Sequence, residues 1–487
     1  NIWILNQESN QLEKQILKYS IAMYNVIDEI IVNSIDHIQR TKDIKGKNKC
    51  DTIKLNFDKK TGLISVFNNG EGIIVEKFKD NDYYIPEMIF SKEMSGSNFS
   101  SDNSEKISAG MNGSGSKITN ILSQEFIIET TDLKNKLNYY QKFENSNLIK
   151  NDPMVTKLTK LTKKDADKKN PYTKVTFLLD FTLFDKNGYT EELSNILDNL
   201  LYTRMNYVSI YCGDKYKIYY NDIELVNKKL FDLSSLIIDS DDIIKCQLYN
   251  KKDKKNNPIE INIGIYDCQD TQEHISFING LYVSSGGSHI RYINKLILEN
   301  LKTKLEKKLK DKIKITNKLI SNYLFIFFSG NITNPDYKNQ SKTELSISES
   351  RFKEYEFDQK VYKQIWSKLE TEFDRIYLDK ISKENVTKKA NKLKGILKYR
   401  SADKAGTSDS DKCTLVIPEG DSAESCVRNG LTSNKELGYK YFGIFNIQGV
   451  PLNVRKEIDI KEIKKNGKIE YIIDKKKKIM ENERINS

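Results

Sequence analysis

The feature that most constrains the fold of this chain is a glycine-rich stretch that runs directly into a predicted helix. Residues 109–117 read Ala-Gly-Met-Asn-Gly-Ser-Gly-Ser-Lys. Glycine has no Cβ and takes positive φ freely, so this backbone can pass close to a bulky anion. Backbone N–H groups at a helix N-terminus bind phosphate, and Lys117 adds a full positive charge. The stretch lacks the GxxxxGK[ST] order of a P-loop and follows no βαβ strand. It is therefore either a phosphate-binding loop of another class or a simple turn.

A second feature is a helical segment whose polar residues have a spacing that suits catalysis. In Asp28-Glu-Ile-Ile-Val-Asn-Ser-Ile-Asp36, helical pitch places Glu29, Asn33 and Asp36 on one face. The opposite face carries Met23, Ile27, Ile30, Ile31 and Ser34. One interpretation is an amphipathic helix with a solvated polar face. The other is a site, because an amide oxygen can bind Mg²⁺ and a carboxylate can orient and deprotonate a water.

A third feature is an alternating strand that ends in a tight, glycine-containing turn. Residues 64–73 read Ile-Ser-Val-Phe-Asn-Asn-Gly-Glu-Gly-Ile. The alternation predicts a half-buried strand, and Asn-Asn-Gly-Glu-Gly predicts a turn. Taken alone, this segment is consistent with an ordinary hairpin.

The order of these three features resembles that of the GHKL ATPases, which include gyrase, heat-shock chaperones, histidine kinases and mismatch-repair proteins. The resemblance implies a Bergerat-type α/β sandwich that binds ATP and Mg²⁺. It assigns Glu29 as the base that activates water, Asn33 as the Mg²⁺ ligand and Asn68 to the adenine side, with Gly70 and Gly72 making room for the base. Many relatives carry Asp where this chain has Asn68, and the eukaryotic topoisomerase branch looks like this chain. The other nucleotide-binding residues implied by the resemblance are His37, Gly96, Ser97, Asn98, Gly110, Met111, Asn112, Gly113, Ser114, Gly115, Ser116 and Lys117.

Two later motifs distinguish between the GHKL branches. Residues 277–289 (Phe-Ile-Asn-Gly-Leu-Tyr-Val-Ser-Ser-Gly-Gly-Ser-His) resemble the transducer of type IIA DNA topoisomerases, where a strand ends in a Gly-Gly-x-His turn. Residues 334–342 (Asn-Pro-Asp-Tyr-Lys-Asn-Gln-Ser-Lys) resemble the loop whose lysine reaches back to the γ-phosphate. The resemblance therefore makes Lys342 a catalytic residue and adds Gln340 and Ser341 to the nucleotide site. Without its neighbours, Lys342 would be an ordinary solvated lysine.

The last motif lies near the C-terminal end of the sequence. Residues 414–424 predict a short buried strand that places Glu419 at its end, followed by a helix from Asp421 or Ser422, both good N-caps. This unit resembles the first motif of a TOPRIM domain, and residues 441–455 match the same family. The resemblance implies that Glu419 is a catalytic residue that binds Mg²⁺ together with a later Asp-x-Asp. No Asp-x-Asp follows Glu419 in this chain. A capped helix after a strand is the plainer interpretation.

Composition agrees with this picture. The chain has 487 residues with 79 Lys and Arg against 68 Asp and Glu, a net charge of +11 that suits a polyanionic partner. No stretch approaches the roughly 20 apolar residues of a membrane span, so we expect no membrane association. The six cysteines form no close pair, and we expect reduced thiols in an intracellular protein. We expect the nucleus for a cellular protein, and the host cytoplasm or the virion for a viral one.

The motifs predict a multidomain protein of α/β and α+β class. We expect a GHKL ATPase domain at residues 1–235, a ribosomal S5-like transducer with a long C-terminal helix at 236–395, a linker at 396–411 and a partial TOPRIM α/β domain at 412–487. Dense lysines between residues 290 and 318 form either a DNA-facing surface or an ordinary charged helix face. The predicted DNA contacts are Lys307, Lys308 and Lys310.

Together the motifs resemble the N-terminal part of a type IIA DNA topoisomerase of the eukaryotic or large-DNA-virus kind. The resemblance implies a homodimer that closes on ATP and passes one DNA duplex through a break in another, relaxing and decatenating DNA. The cleavage tyrosine would lie beyond Ser487. A chaperone or mismatch-repair GHKL ATPase shares the pocket, but it does not explain the strand–Glu-Gly-Asp-Ser-Ala unit. A sensor kinase and a DNA-binding protein with an inactive pocket are further alternatives.

Overall fold

The computed structural model describes most of the chain, in two compact units. The described residues are 2–7, 9–79, 81–92, 115–160, 170–251, 259–268, 271–309, 316–370, 399–400, 402–405, 407–433, 438–446, 458–465 and 468–475. The first unit spans Asn1–Glu372 and the second Phe373–Ser487. The division into four domains predicted from the motifs is finer than this and stays a prediction.

The first half of the first unit is a nine-stranded sheet covered by helices. Its strand order is β11-β10-β3-β4-β9-β5-β6-β7, with β8 also pairing with β6; β10 runs parallel to β3 and the other pairs are antiparallel. A hairpin of two strands outside this sheet opens the chain. In chain order the elements are β1 (Ile2–Leu5), β2 (Leu12–Gln15), α1 (Ile21–Thr41), β3 (Thr52–Phe57), β4 (Ile64–Asn69), α2 (Ile85–Ser91), α3 (Gly115–Ile121), β5 (Ser123–Asp132), β6 (Leu137–Glu144), β7 (Ile149–Lys150), β8 (Met154–Lys157), β9 (Tyr172–Leu179), α4 (Glu191–Cys212), β10 (Lys217–Tyr220) and β11 (Ile223–Glu224).

Local chemistry explains where α1 begins and ends. The Ser20 hydroxyl accepts a hydrogen bond from the Met23 N–H and caps the helix. At the other end, Thr41 Oγ1 donates to the His37 carbonyl at 2.8 Å and accepts from the Cys50 N–H at 3.0 Å. The helix therefore stops where its last side chain is tied to the strand that follows.

The second half of the first unit is a six-stranded mixed sheet with one long helix. Its strand order is β15-β14-β16-β13-β12-β17, in which β14 and β16 are parallel. The elements of this half are α5 (Leu230–Ser235), β12 (Ile243–Asn250), β13 (Ile259–Ile265), β14 (Glu273–Ile278), β15 (Leu281–Tyr282), α6 (Ser288–Leu309), α7 (Asn317–Ser321), β16 (Leu324–Gly330), β17 (Tyr355–Phe357) and a helix α8 at residues 359–370.

The two halves share their hydrophobic cores. Leu5, Leu12 and Tyr207 come from the first half, yet they pack with Phe277 and Phe325 of the second sheet. Helix α1 lies between the halves in the same way, because Val32 packs with residues that follow β14. Burial of apolar side chains from both halves in one cluster makes them a single packed body.

The buried side of α1 is wider than the sequence pattern predicts. Helical pitch places Asp36 on one face with Glu29 and Asn33, and a solvated polar face was one of two interpretations, but Asp36 is only 7% exposed. Tyr337 from the second half covers this end of the helix, and the Asp36 charge contributes, after burial, to raising the Tyr337 pKa. The polar face of α1 is therefore solvated at Asn33 but covered at Asp36.

The described part of the second unit contains two small sheets and two helices. A three-stranded sheet has the order β18-β20-β19, and β21 pairs with β22 in a hairpin. The expectation of a buried strand before Glu419 is wrong, because Leu415 and Ile417 at the sheet edge are 49% and 53% exposed. The elements are β18 (Tyr399–Arg400), β19 (Thr414–Val416), α9 (Gly420–Ser433), α10 (Gly438–Tyr441), β20 (Phe442–Phe445), β21 (Ile458–Lys465) and β22 (Lys468–Lys475).

Two further observations concern the chain as a whole. All six cysteines are free thiols. Among the residues that the structure describes, no helix has both the length and the apolar character needed to cross a bilayer.

Buried histidines make acid a destabilising condition for the fold. Burial lowers the pKa of His274 to about 4 from an ordinary 6.5, and also lowers that of His289. Between pH 6.5 and 4 these histidines therefore bind protons in the unfolded chain but stay neutral in the folded chain. We expect the free energy of unfolding to fall as the pH drops from 6.5 towards 4, by about 1.4 kcal/mol per pH unit for each such histidine.

Urea denaturation at several pH values measures this effect. The His274→Gln variant should show a shallower loss of stability below pH 6.5 than the parent. Parallel pH profiles for the two proteins would contradict the assignment to His274.

Candidate active site

An ion pair between distant parts of the chain marks the candidate site. Glu29 lies on α1, and Lys342 lies in the loop between β16 and β17. The Lys342 Nζ atom is 2.9 Å from Glu29 Oε1, and the two side chains are only 13% and 29% exposed. The loop of the second half therefore reaches the predicted base of the first.

Backbone hydrogen bonds to the Gly-Gly turn hold the Lys342 loop in place. The Ser285 N–H donates to the Thr343 carbonyl at 2.8 Å, and the Leu345 N–H donates to the Gly286 carbonyl at 2.9 Å. Gly287 has φ of +133°, and a Cβ there would lie 2.2 Å from the Leu345 carbonyl oxygen. Gly287 is thus required because the loop lies directly against its backbone, whereas a Cβ at Gly286, which has φ of +66°, would lie 2.8 Å from His274 Nε2.

Lys342 itself has an uncommon backbone conformation. Its φ is +54°, in the left-handed region that non-glycine residues rarely adopt. Such conformations carry strain and are often found at functional sites. The loop therefore holds this lysine in a conformation that its own backbone does not favour.

A cleft opens between α1 and this loop. Its walls include side chains that can donate or accept hydrogen bonds, and Gln340 and Ser341 lie beside Lys342 among them. The lining residues are Ile2, Tyr19, Ile21, Tyr24, Asn25, Asp28, Glu29, Leu281, Tyr282, Ser284, Gln340, Ser341, Lys342 and Thr343.

The helix that follows the glycine-rich stretch lies against the same carboxylate. A Cβ at Gly115, the first residue of α3, would lie 2.4 Å from Glu29 Oε2. Thr119 Oγ1 donates to the Val26 carbonyl at 2.9 Å and ties α3 to α1. Lys117 and Ser116 lie in the first turn of α3 and are buried at 7% and 6% exposure.

This close approach makes Gly115 a sensitive position. On the ATPase activity that the sequence resemblance implies, we expect Gly115→Ala to displace the Glu29 carboxylate and to lower ATP hydrolysis by about tenfold, the scale on which misplacing a general base matters. Steady-state hydrolysis assays measure the effect, and Gly430→Ala controls for general loss of glycine, because a Cβ at Gly430 would meet no atom within 4 Å. Equal rates for Gly115→Ala and the parent would show that Glu29 tolerates displacement.

Asn68 lies behind the site and is joined to α1. Its Oδ1 accepts from Ser34 Oγ at 3.2 Å, and its Nδ2 donates to the Asn69 carbonyl at 3.1 Å. A Cβ at Gly70 would meet the Cys50 backbone N at 2.6 Å, and one at Gly72 would meet the Thr131 carbonyl oxygen at 1.9 Å. Both glycines are thus explained by close packing within the chain, and a role in making room for adenine stays a prediction.

Asn33 and His37 follow Glu29 on α1 by one and two turns. Asn33 is exposed, so its amide oxygen is accessible to a ligand in solvent. An amide oxygen close to a carboxylate fits a hard cation such as Mg²⁺. His37 is 9% exposed, and burial lowers its pKa to about 4, so it is neutral at physiological pH. The described residues contain no group of three or more His, Cys, Asp or Glu side chains that could hold a metal.

Comparisons with known proteins identify the family. Residues 206–395 match the family model described as DNA gyrase B. DNA topoisomerase 2 of Acanthamoeba polyphaga mimivirus is 32% identical over 93% of this chain and 34% of its own length. DNA topoisomerase 2 of Saccharomyces cerevisiae is 32% identical over 98% of this chain and 32% of its own length. The chain belongs to the type IIA DNA topoisomerase family.

Solved topoisomerase structures agree in fold. The ATPase region of Saccharomyces cerevisiae topoisomerase II matches 77% of this chain and 92% of its own, with a TM-score of 0.65 and 28% identity. The ATPase and transducer domains of Balamuthia mandrillaris topoisomerase II match 78% of this chain and 91% of theirs, with a TM-score of 0.66 and 25% identity. The predicted GHKL ATPase and transducer folds are thus confirmed. The chain spans about a third of the length of the curated topoisomerases that it matches.

Several of the predicted site residues lie outside the described part of the chain. One is the predicted DNA contact Lys310, while Lys307 and Lys308 fall on α6 but their side chains are not described. The nucleotide-site predictions in this class are Gly96, Ser97, Asn98, Gly110, Met111, Asn112, Gly113 and Ser114.

Glu419 belongs to the second unit. It is exposed and lies between β19 and α9, at the end of the strand as the motif predicted. The helix begins at Gly420, one residue earlier than expected, where a φ of +79° makes the turn. Its TOPRIM role and its binding of Mg²⁺ stay predictions.

Three residues that shape the site were not predicted from the sequence. Asp28 lines the cleft beside Glu29, and Arg204 Nε of α4 donates to its Oδ1 at 2.6 Å. Asn279 begins the turn before β15 and exchanges two hydrogen bonds with the Ile332 backbone, at the base of the Lys342 loop. For Arg204 the available signal was a single arginine among the mostly apolar residues 200–210.

Proposed function

We propose that this chain is the ATP-hydrolysing clamp part of a type II DNA topoisomerase. In this proposal ATP and Mg²⁺ bind between α1 and α3, and ATP closes a homodimer around double-stranded DNA. The partners are thus DNA and a second copy of the chain, at an intracellular location. The observation that carries the proposal is the 2.9 Å contact between Lys342 and Glu29, because it joins the nucleotide site to the second sheet.

In this proposal different residues of the chain have different roles in hydrolysis. Glu29 accepts a proton from the attacking water, and a general base contributes about 10²–10⁴-fold to such reactions. Lys342 leaves Glu29 for the more highly charged γ-phosphate when ATP binds, which frees the carboxylate to act as base. Mg²⁺, held through Asn33 and phosphate oxygens, would neutralise charge on the phosphates. Lys307, Lys308 and Lys310 are the proposed DNA contacts.

Relatives named DNA topoisomerase 2 favour this function over that of a GHKL chaperone or mismatch-repair ATPase. DNA cleavage is outside the proposal for this segment, because it would need a tyrosine nucleophile and an Asp-x-Asp from the remainder of the protein. Full strand passage is therefore proposed for the longer protein and ATP-driven closure for this chain.

Titration with a non-hydrolysable ATP analogue tests the proposed cofactor site. We expect Asn33→Ala to weaken binding of the analogue in the presence of Mg²⁺, because the cation loses an oxygen ligand from α1. With EDTA in place of Mg²⁺ the parent and the variant should bind alike. Equal affinity with Mg²⁺ present would remove Asn33 from the site.

A further inference from the structure

Arg204 is a charged group in a position where charge is costly. Its side chain is 1% exposed, and its Nε donates to Asp28 Oδ1 at 2.6 Å. Its Nη1 and Nη2 atoms are buried and have no hydrogen-bond partner among the described residues. Arginine cannot lose its proton in a protein, so the Asp28 carboxylate is what compensates this buried charge.

Asp28 and Glu29 are adjacent carboxylates on the same helix, and both line the cleft. Lys342 also lines the cleft, and its Nζ contacts Glu29. Charge alone does not distinguish the two carboxylates as partners for a lysine. Asp28, however, is already engaged by Arg204, which leaves Glu29 as the carboxylate with an uncompensated charge.

We propose that Arg204 is a positioning residue that holds Asp28 and thereby directs Lys342 to Glu29. Without Arg204, the Asp28 carboxylate would compete with Glu29 for Lys342. It would also place an unpaired negative charge beside the phosphates of a nucleotide. This consequence for hydrolysis rests on the proposed ATPase function, whereas the pairing itself does not.

Because Arg204 is more deeply buried than Asp28, removing the Asp28 charge should change the urea unfolding midpoint in opposite directions with and without Arg204. Asp28→Asn in the parent chain leaves Arg204 buried without a counter-charge, so we expect a lower unfolding midpoint. Arg204→Met leaves Asp28, which is 16% exposed and can be reached by water, so this variant should fold. Adding Asp28→Asn to Arg204→Met should then raise the midpoint. A decrease on both backgrounds would overturn the role of Arg204 as the counter-charge of Asp28.

A second comparison in urea tests where Lys342 binds. On the parent background we expect Lys342→Ala and Asp28→Asn to act independently on the unfolding constant. On the Arg204→Met background they should become coupled, by about two- to fivefold, because Lys342 then pairs with Asp28. Independent effects on both backgrounds would overturn the proposal.

Steady-state kinetics test the effect of Arg204 on hydrolysis. Arg204→Met should lower kcat and raise KM for ATP, together by about tenfold in kcat/KM, and the double variant with Asp28→Asn should restore both. Lys59→Met is the matched control, because it breaks an ion pair with Asp198 on the same helix α4, outside the cleft lining. Unchanged kcat and KM in Arg204→Met would overturn the proposal that Arg204 influences the site. A parent chain without ATP hydrolysis would refute the proposed function instead, and the urea comparisons would still decide the pairing.

Discussion

Replacing Glu29 by glutamine is expected to reduce ATP hydrolysis by about 10²-fold or more while nucleotide binding is retained. The amide has nearly the size of the carboxylate and keeps a polar contact with Lys342, but it cannot accept the proton of the attacking water. The 2.9 Å contact and the close approach of Gly115 place this carboxylate between α3 and the Lys342 loop. Loss of the base should therefore appear in kcat and not in affinity.

Single-turnover hydrolysis and analogue titration on the same preparation separate the two quantities. Glu192→Gln is a suitable control, because Glu192 is exposed in the first turn of α4. A Glu29→Gln protein that hydrolyses ATP at nearly the parent rate would sink the assignment of the base.

Replacing Lys342 by alanine is expected to abolish closure of the dimer by an ATP analogue. Lys342 can contact a γ-phosphate that ATP has and ADP lacks, and a group biases a conformational equilibrium only through such differential contacts. The variant should bind ADP normally. It should also lose most of any stimulation of hydrolysis by DNA, since closure no longer follows binding.

Analytical ultracentrifugation with ADP and then with the analogue measures closure directly. Lys338→Ala provides a matched control in the same loop, since Lys338 is 68% exposed and pairs with Glu344 at 3.1 Å. Equal dimerisation of the parent and Lys342→Ala with the analogue would show that Lys342 does not couple ATP binding to closure.

Local patterns in the sequence predicted the parts of the site that are local in space. Glu29 and Asn33 are one helical turn apart, and their spacing alone places them on one side of α1. The strand that contains Asn68 and the helix after the glycines could be predicted in the same way, because alternation and helix openings are short-range signals. The resemblance assigned Lys342 to the γ-phosphate, but its contact with Glu29 was not predicted, since no local pattern joins residues 313 positions apart.

The burial of two charged residues could not be predicted from the sequence, because it depends on the packing of one half of the unit against the other. The burial of Asp36 could not be predicted, because helical pitch reports which residues share a face, and not what covers that face. Arg204 escaped notice for a related reason. Its partner Asp28 is 176 residues away, and an isolated arginine in an apolar run does not reveal whether it is buried or reaches the surface.

The shared core has a consequence for how these proteins can be recombined. Leu5, Leu12 and Tyr207 precede residue 235, yet they pack with Phe277 and Phe325 beyond it. A chimaera that joined residues 1–235 of one relative to the remainder of another would therefore bring together two faces that were shaped by different partners. Core packing tolerates few mismatches of volume, so such an exchange would require both faces to be adjusted together. The ATPase and transducer segments can in this sense be exchanged only together, although their chemistry can be described separately.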